Sequence, residues 1–202
     1  MSHNIDKIIY INLEKRKDRK QEIENELNKF NLQFERFDAI ERKMGLAGCG
    51  YSHLNVLKLA KSRNYKNILI LEDDFMFLIS KEEFEQELES FFNTVQNFDV
   101  CMISYNVQKD EQIPNNTTAK RVIEASTASG YIVNNHYYDT LIELYEHNIP
   151  ILEKTGIHWV YANDQIWKSL QIKDRWCYII KRIGKQRPSF SDNAGCYVDL
   201  NC

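Results

Sequence analysis

The segment Asn67–Phe75, NILILEDDF, joins four consecutive aliphatic residues directly to three carboxylates. A continuous apolar run, rather than an alternating one, is typical of a strand that is buried on both faces of a sheet. Three adjacent negative charges repel one another and have no place in a hydrophobic core. The segment therefore predicts a buried strand that ends at a polar, functional edge of a sheet.

Predicted strands and helices alternate on both sides of this segment. The other predicted strands are Lys7–Leu13, Phe34–Ile40, Asp99–Ser104, Gly130–Asn134 and Trp176–Arg182. The predicted helices are one around Ile23, Leu27 and Phe30, then Ser52–Ser62, Phe84–Val95, His136–His147 and Asn163–Gln171. Ser52 is predicted to be the N-cap of its helix. Buried strands separated by helices predict an α/β fold with a mostly parallel sheet and helices on both faces.

One polar stretch interrupts this alternation. Residues 108–121, QKDEQIPNNTTAKR, have no apolar periodicity and contain one of the three prolines of the chain. The stretch is predicted to be a loop. Its central part, from Lys109 to Lys120, is interpreted either as a mobile lid or as an ordinary surface loop.

Composition excludes several classes of protein. The 202 residues have a net charge of −3 and are 43% hydrophobic, which is typical of one globular domain and excludes a generally basic nucleic-acid binder. The N-terminal residues contain no long apolar run, so we expect no signal peptide, no transmembrane segment and a cytoplasmic location. The five cysteines are widely spaced without a C-x-x-C pair, which predicts reduced thiols rather than disulfides or a zinc cage.

The carboxylates that follow the buried strand suit a hard metal ion. In an extended segment Glu72 and Asp74 would share a face while Asp73 points away. Mg²⁺ and Mn²⁺ are typically held by one or two protein carboxylates and by the phosphates of a substrate. The alternative interpretation is that these acids cap the helix that follows, whose N-terminus favours negative charge.

With these motifs in place, the chain resembles glycosyltransferase family 25, which includes lipooligosaccharide galactosyltransferases and collagen-type hydroxylysine glycosyltransferases. The resemblance rests on YINLEKRKDR (10–19), RFDAI (36–40), GLAGCGYSHL (45–54), LILEDDF (69–75), NDQ (163–165) and RPSFSD (187–192). The first four blocks cover about the first 75 residues closely, and the match is looser beyond them. The resemblance implies a GT-A-type, Rossmann-like fold, a nucleotide-sugar donor such as UDP-glucose or UDP-galactose, Mn²⁺ or Mg²⁺, and transfer with inversion.

The resemblance also assigns roles to the acidic residues. Glu72 and Asp74 match the first and third positions of the family's D-x-D motif, with Asp74 expected on the metal and Glu72 on the metal or the ribose. Asp73 is then expected to contribute to the donor site indirectly, by supporting the residues that bind the donor. Asp192 is expected to contact the metal or the diphosphate, helped by Arg187 and Ser189. Asn193 follows it where the family usually has an aliphatic residue.

Further residues are expected to bind the nucleotide sugar. Asn12, Leu13, Arg16 and Arg19 follow the first predicted strand, where GT-A proteins seat the nucleotide, and guanidinium groups suit phosphate oxygens. The alternative for the two arginines is plain surface charge. Gly48 and Gly50 are predicted to precede a helix N-terminus that faces an anion, which would bring Ser52 and His53 to the donor or acceptor. The alternative for His53 is a satisfied structural histidine.

Inverting transfer requires a base that takes the proton of the acceptor hydroxyl. Asp164 is the candidate, because it lies at the start of a short helix among Trp159, Tyr161 and Trp167, whose rings can stack on a sugar. The alternative is that Asn163 and Asp164 simply cap that helix.

The sequence thus predicts a metal-dependent hexosyltransferase in one domain, residues 1–202. Residues 1–105 form a nucleotide-sugar-binding half and residues 120–202 an acceptor half. The acceptor is expected to be a hydroxyl of a glycan, a lipooligosaccharide or a collagen-like hydroxylysine, and a homodimer is compatible with the sequence. The alternatives are a catalytically silent module that binds a nucleotide sugar or glycan and a nucleotidyltransferase, although the latter normally has a glycine-rich loop after its first strand.

Overall fold

A mixed eight-stranded sheet is the centre of the structure. The computed structural model describes residues 4–191 and 195–199. The strands of the sheet are β1 (Lys7–Asn12), β2 (Phe34–Asp38), β3 (Asn67–Glu72), β5 (Val100–Met102), β6 (Asn106–Gln112), β7 (Ala119–Ser126), β8 (Gly130–Asn134) and β9 (Trp176–Ile179). Their order across the sheet is β2-β1-β3-β8-β5-β9-β7-β6. Two small antiparallel pairs lie outside it and consist of β4 (Phe75–Phe77) with β10 (Gly184–Gln186), and β11 (Ser189–Ser191) with β12 (Cys196–Val198).

Most strands of the large sheet run in the same direction. β1 pairs in parallel with β2 and β3, and β5 pairs in parallel with β9. Only β8 and β7 run in the opposite direction, because β8 is antiparallel to β3 and β5, and β7 is antiparallel to β9 and β6. The predicted mostly parallel α/β sheet is therefore confirmed, with one reversed strand in its middle and another near its edge.

Helices cover both faces of this sheet. The helices are α1 (Lys17–Lys29), α2 (Gly45–Ser62), α3 (Lys81–Thr94), α4 (Tyr138–Thr155), α5 (His158–Tyr161) and α6 (Asn163–Gln171). Buried residues of α2, α4 and α6 form one core cluster with the sheet, and those of α1 and α3 form the other. No helix among the described residues is long and apolar enough to span a bilayer.

Alternation along the inner strands explains why both faces are covered. In β1, Ile9 belongs to the cluster under α2 and α4, while Ile8 and Tyr10 belong to the cluster under α1 and α3. In β3, Ile70 belongs to the cluster under α2 and α4, and Leu71 belongs to the cluster under α1 and α3. Successive side chains of a strand point to opposite faces, so a strand that is apolar at every position needs a hydrophobic layer on each side.

Three predictions about secondary structure are wrong. Residues 108–121 are not a loop, because most of them belong to the β6–β7 hairpin at the sheet edge. This hairpin has exposed polar residues along β6, so it lacks the apolar pattern by which strands are recognised. The helix predicted from Ser52 begins seven residues earlier, at Gly45. The strand at Trp176 is the last of the large sheet, but three short strands follow it.

A buried aspartate ties the start of β5 to the loop before β9. Asp99 Oδ2 accepts a hydrogen bond from the backbone N–H of Arg175 at 2.7 Å, and Oδ1 accepts one from the Arg175 guanidinium at 2.7 Å and contacts His136 Nε2 at 2.6 Å. Burial opposes ionisation of Asp99, but the hydrogen bonds of Arg175 and His136 outweigh it and lower its pKa. The folded structure therefore favours the carboxylate form of Asp99.

Replacing Asp99 is expected to destabilise the fold. Asp99→Asn should lower the free energy of unfolding by about 2 kcal/mol at neutral pH, because buried hydrogen bonds to a charged acceptor are lost. When folding lowers the pKa of an acid, the protein is stabilised at pH values above the pKa that the acid has in the unfolded chain. This stabilisation is lost as the pH falls through the pKa of the acid in the folded protein. Urea unfolding at pH 7 and pH 3 should therefore show a smaller difference between variant and wild type at pH 3. Asp139→Asn, which removes an exposed ion pair with Lys61, should change stability by less than about 1 kcal/mol.

Candidate functional site

A cleft of about 540 Å³ lies at the carboxyl ends of three neighbouring parallel strands. Asn12 ends β1, Asp38 ends β2 and Glu72 ends β3, and the strand register places Asn12 beside Asp38 and Ile11 beside Glu72. Open α/β sheets bind their ligands at this edge. The predicted site residues that line the cleft are Asn12, Leu13, Arg16, Arg19, Ser52, Glu72, Asp73, Asp74 and Asp164.

The acidic segment forms a turn at the floor of this cleft. β3 ends at Glu72, and Asp73 and Asp74 form the turn that leads into β4. Arg19 Nη1 donates hydrogen bonds to Asp73 Oδ1 and Asp74 Oδ2, both at 3.0 Å. The expectation that Asp73 points away from Asp74 is therefore wrong, because a turn does not keep the alternation of an extended strand. Asn12 Nδ2 also donates to Asp73 Oδ2 at 2.8 Å.

One oxygen of Asp74 has no protein partner among the described residues. Asp74 is 3% exposed, and its Oδ2 accepts hydrogen bonds from Arg19 and, at 2.9 Å, from Gln186 Nε2, whereas its Oδ1 is buried without a hydrogen bond. Burial and the neighbouring Glu72 carboxylate raise the pKa of Asp74 to about 7. A buried anionic oxygen without a partner is costly for the folded protein unless a ligand binds it. The chemistry of this oxygen fits a hard cation such as Mn²⁺ or Mg²⁺.

Glu72 belongs to a different network on the cleft wall. Its Oε1 lies 3.1 Å from His53 Nε2 and accepts a hydrogen bond from Cys49 Sγ at 3.4 Å. Although burial opposes ionisation, the hydrogen bond and charge of His53 lower the pKa of Glu72. His53 is fully buried behind Glu72, and its Nδ1 forms a 2.7 Å hydrogen bond with the Tyr131 hydroxyl. His53 therefore reaches the cleft only through Glu72.

Basic side chains also line the cleft. They are Lys15, Arg16, Arg19, Arg42, Lys43 and Arg187. Arg16 forms a two-point ion pair with the exposed Asp18, at 3.0 and 2.8 Å, and Lys15 pairs with the exposed Glu41. Such exposed partners can be exchanged for phosphate oxygens at little cost. The cleft thus combines acidic and basic side chains, which suits a metal-bound diphosphate.

Ser52 holds the loop between β2 and α2 in place. Its hydroxyl donates to the Gly48 carbonyl at 2.7 Å and accepts from the Ile40 backbone N–H at 2.8 Å. The prediction that Ser52 is an N-cap is wrong, because it lies inside α2, whose N-cap is Met44. Gly48 and Gly50 also lie inside the helix and do not precede it. Gly48 is needed because a Cβ there would lie 2.5 Å from the Ile40 carbonyl oxygen.

The Ser52 contact supports a specific prediction about stability. Ser52→Ala should lower the free energy of unfolding by about 1–3 kcal/mol, because the Ile40 N–H and the loop it belongs to lose their buried acceptor. Chemical unfolding of purified protein measures this. Ser62→Ala is the matched control, since the Ser62 hydroxyl also donates to a carbonyl of α2 but is exposed. An equal effect of both substitutions would show that Ser52 does not hold the loop.

Asp164 faces the cleft from the first turn of α6. Its Oδ2 accepts a hydrogen bond from the Thr127 backbone N–H at 3.2 Å. Thr127 has φ = 84°, a left-handed conformation that β-branched residues rarely adopt and that costs on the order of 1–3 kcal/mol. Trp167 is fully buried and cannot stack on a ligand, whereas Trp159 is 66% exposed. Asp164 therefore lies beside a strained backbone segment in the cleft wall.

Gln186 and Arg36 escaped the sequence predictions. Gln186 reaches the acidic turn from the C-terminal segment, and Arg36 donates to Asn12 Oδ1 at 3.0 Å and so orients the Asn12 amide. The RFDAI block contains Arg36 and was the available signal for it. Ser189, which was expected at the site together with Arg187, lines the cleft, and its Oγ accepts a hydrogen bond from Arg19 Nη2 at 2.7 Å. Asp192 lies outside the described residues.

Two sequence comparisons with known proteins lead to the same family. The model of the family described as "Glycosyltransferase family 25 (LPS biosynthesis protein)" matches residues 5–47 and 43–156. A "Glycosyltransferase 25 family member" of Drosophila melanogaster is 24% identical over an alignment of 165 residues, which covers 65% of this chain and 26% of that protein. The chain thus spans about a quarter of the length of this relative.

A solved structure has a similar fold. It is the crystal structure of a glycosyltransferase involved in the glycosylation of the major capsid of PBCV-1, with a TM-score of 0.51 at 11% identity. The similarity covers 96% of this chain and 93% of that one. At this identity the likeness concerns the fold alone. It confirms the predicted α/β architecture of GT-A type.

Proposed function

Because the chain belongs to glycosyltransferase family 25, we propose that it transfers a hexose with inversion from a nucleotide sugar to a hydroxyl group. The proposed donor is UDP-glucose or UDP-galactose. The proposed acceptor is a glycan, a lipooligosaccharide or a collagen-like molecule. The observation that carries this proposal is the acidic turn. Asp74 lines a cleft that basic side chains also line, and its buried Oδ1 has no partner among the described residues. This combination matches the charges of a diphosphate and its metal ion.

The acidic residues would hold Mn²⁺ or Mg²⁺. Asp74 is proposed to bind the ion through Oδ1, with Glu72 on the ion or on the donor ribose. When bound, such an ion stabilises the charge that develops on a departing nucleoside diphosphate. Asp73 holds Arg19 and Asn12 in position by accepting a hydrogen bond from each of them. Asp192 stays a candidate for a further contact to the ion or the diphosphate.

The remaining residues would bind the donor and activate the acceptor. Arg16 and Arg19 lie where α1 begins and would bind phosphate oxygens, while Asn12 and Leu13 line the donor side of the cleft. Asp164 would accept the proton of the acceptor hydroxyl as that oxygen attacks the anomeric carbon. The exposed ring of Trp159, on the short α5 just before α6, is proposed to contact the acceptor sugar.

Release of UDP from UDP-glucose and UDP-galactose tests the proposal. We expect release to depend on Mn²⁺ or Mg²⁺, to stop with a chelator and to accelerate with a suitable acceptor. The same assay separates the alternatives. A catalytically silent module would bind the donor in a thermal-shift assay and release no UDP with any acceptor. A nucleotidyltransferase would instead release pyrophosphate from a nucleoside triphosphate and a sugar phosphate. Either of these outcomes would overturn the proposed function.

A further inference from the structure

Three potential metal ligands of different chemistry meet on the cleft wall. Cys49 and His53 are four residues apart on α2, so they lie on the same face of the helix. Glu72, at the end of β3, faces both of them. The ligand atoms of the three side chains lie within 4.8 Å of one another, with 3.1 Å between His53 Nε2 and Glu72 Oε1 and 3.4 Å between Cys49 Sγ and Glu72 Oε1.

These separations match the edges of a small coordination tetrahedron. Zinc binds nitrogen and carboxylate oxygen at about 2.0–2.2 Å and sulfur at about 2.3 Å, so ligand atoms on a tetrahedral ion lie roughly 3.3–3.6 Å apart. The His53–Glu72 and Cys49–Glu72 distances are close to this range, and the Cys49 Sγ and His53 Nε2 atoms lie within 4.8 Å of each other. An ion could therefore replace the hydrogen bonds among the three groups after only small movements of the side chains.

The groups behind the three ligands also suit a metal site. A ligating histidine normally uses its second ring nitrogen for a hydrogen bond that orients the ring. His53 Nδ1 has this contact, at 2.7 Å from the Tyr131 hydroxyl. Asn163 Nδ2 donates a hydrogen bond to Cys49 Sγ at 3.2 Å and would stabilise a thiolate there. Both the thiol and the carboxylate line the cleft, so a fourth coordination position is open to solvent or ligand.

We propose that Cys49, His53 and Glu72 form a binding site for Zn²⁺ or a chemically similar ion, distinct from the Mn²⁺ or Mg²⁺ site at Asp74 although Glu72 is a candidate ligand of both. Coordination displaces the two protons that face Glu72, one on Cys49 Sγ and one on His53 Nε2, and both pass to the buffer. His53 then binds as a neutral ligand with its one ring proton on Nδ1, beside the Tyr131 hydroxyl, and Glu72 binds as an anionic ligand. A thiolate and an imidazole select zinc over the harder Mn²⁺ and Mg²⁺. An excess of Mn²⁺ therefore does not displace the bound zinc.

Occupation of this site has a consequence for catalysis, which rests on the proposed function. Zinc on Glu72 would withdraw that carboxylate from the donor and place a cation on the cleft wall. We expect micromolar Zn²⁺ to inhibit transfer in the presence of millimolar Mn²⁺. The binding itself is independent of this consequence and is measured without any substrate.

The first test measures zinc binding directly. Zn²⁺ is titrated into the reduced protein in competition with a chromogenic chelator, using wild type, Cys49→Ser and Cys196→Ser. Cys196 is an exposed free thiol, so its replacement controls for adventitious binding to surface cysteines. We expect one ion per chain in wild type and in Cys196→Ser, and affinity weaker by on the order of 100-fold in Cys49→Ser. Co²⁺ should give a thiolate charge-transfer absorption that is absent only from Cys49→Ser.

The outcomes decide the inference separately from the function. The site is refuted if wild type binds no zinc at micromolar concentration, or if Cys49→Ser binds it as tightly as wild type. Loss of binding in Cys196→Ser would assign the ion to the surface and also refute the site. Circular dichroism and thermal melting of each variant establish that it is folded. Zinc binding without transferase activity would support the site and count against the proposed function.

Discussion

Asp74→Asn is expected to reduce kcat/KM for sugar transfer by on the order of 10³-fold. The substitution removes the negative charge that would hold the divalent ion, and electrostatic stabilisation of a leaving group is among the largest contributions to catalysis. Metal binding, followed by Mn²⁺ paramagnetism in the absence of donor, should weaken in parallel. Initial rates at varied concentrations of UDP-galactose or UDP-glucose give kcat/KM, and the Mn²⁺ titration without donor gives the affinity for the ion.

The pH dependence of metal binding gives a second readout of the same residue. Burial and Glu72 raise the pKa of Asp74 to about 7, so a proton competes with the ion below that pH. The affinity of wild type for Mn²⁺ should therefore increase from pH 5.5 to about pH 7 and then level off, whereas Asp74→Asn should lack this rise. Because folding raises the pKa of this acid, ionisation of Asp74 destabilises the fold increasingly from its pKa in the unfolded chain, about 3.9, up to about pH 7, and fully above that pH. Without metal at pH 8, the variant should melt no lower than wild type.

Asp38→Asn is the matched control for Asp74→Asn. Asp38 also ends a strand at this edge of the sheet and pairs with an arginine, Arg36, at 2.9 Å, but its side chain is exposed. We expect it to change kcat/KM by less than about threefold. Equal losses in both variants, or full metal-dependent activity in Asp74→Asn, would contradict a metal role for Asp74.

Asp164→Asn is expected to reduce kcat by on the order of 10³-fold, the usual contribution of a general base. Donor and Mn²⁺ binding should be unchanged, because the described hydrogen bond of Asp164 is to the Thr127 N–H and not to the acidic turn or the basic side chains of the cleft. The asparagine carbonyl can still accept the hydrogen bond of the Thr127 N–H, so stability should change by less than about 1 kcal/mol. Donor KM, kcat with acceptor and thermal melting are the measurements.

The same measurements distinguish a base from a structural role in α6. The alternative that Asn163 caps this helix is wrong, because its N-cap is Ala162 and no described side chain forms a cap hydrogen bond, so the remaining structural role of Asp164 is a negative charge in the first turn. If Asp164 has only this role, Asp164→Asn leaves kcat intact, and Asp164→Ala lowers stability by about 1 kcal/mol without a specific loss of turnover. Glu124→Gln serves as the control, because the exposed Glu124 carboxylate also contacts α6 through Lys168, at 2.9 Å. A normal kcat in Asp164→Asn would assign the base to another carboxylate.

Local sequence determined the layers of the fold and the position of the acidic edge. Apolar runs such as the one before Glu72 need cover on both faces wherever they occur, so the α/β architecture follows from short segments. The same reasoning failed for α2 and for the β6–β7 hairpin. Gly48 suggested a break although it only admits the Ile40 carbonyl, and an exposed edge ribbon has no apolar alternation to recognise.

Only the tertiary structure decided which groups meet at the acidic edge. Arg19 is 54 residues from Asp73 along the chain, and Gln186 is 112 residues from Asp74, yet both contact the turn. Cys49 and His53 form a cluster with Glu72 although the cysteine spacing argues against a metal site. Such contacts depend on strand order and register, which are set by the packing of the whole core. A local pattern determines where a strand ends, whereas the fold as a whole determines what lies beside its end.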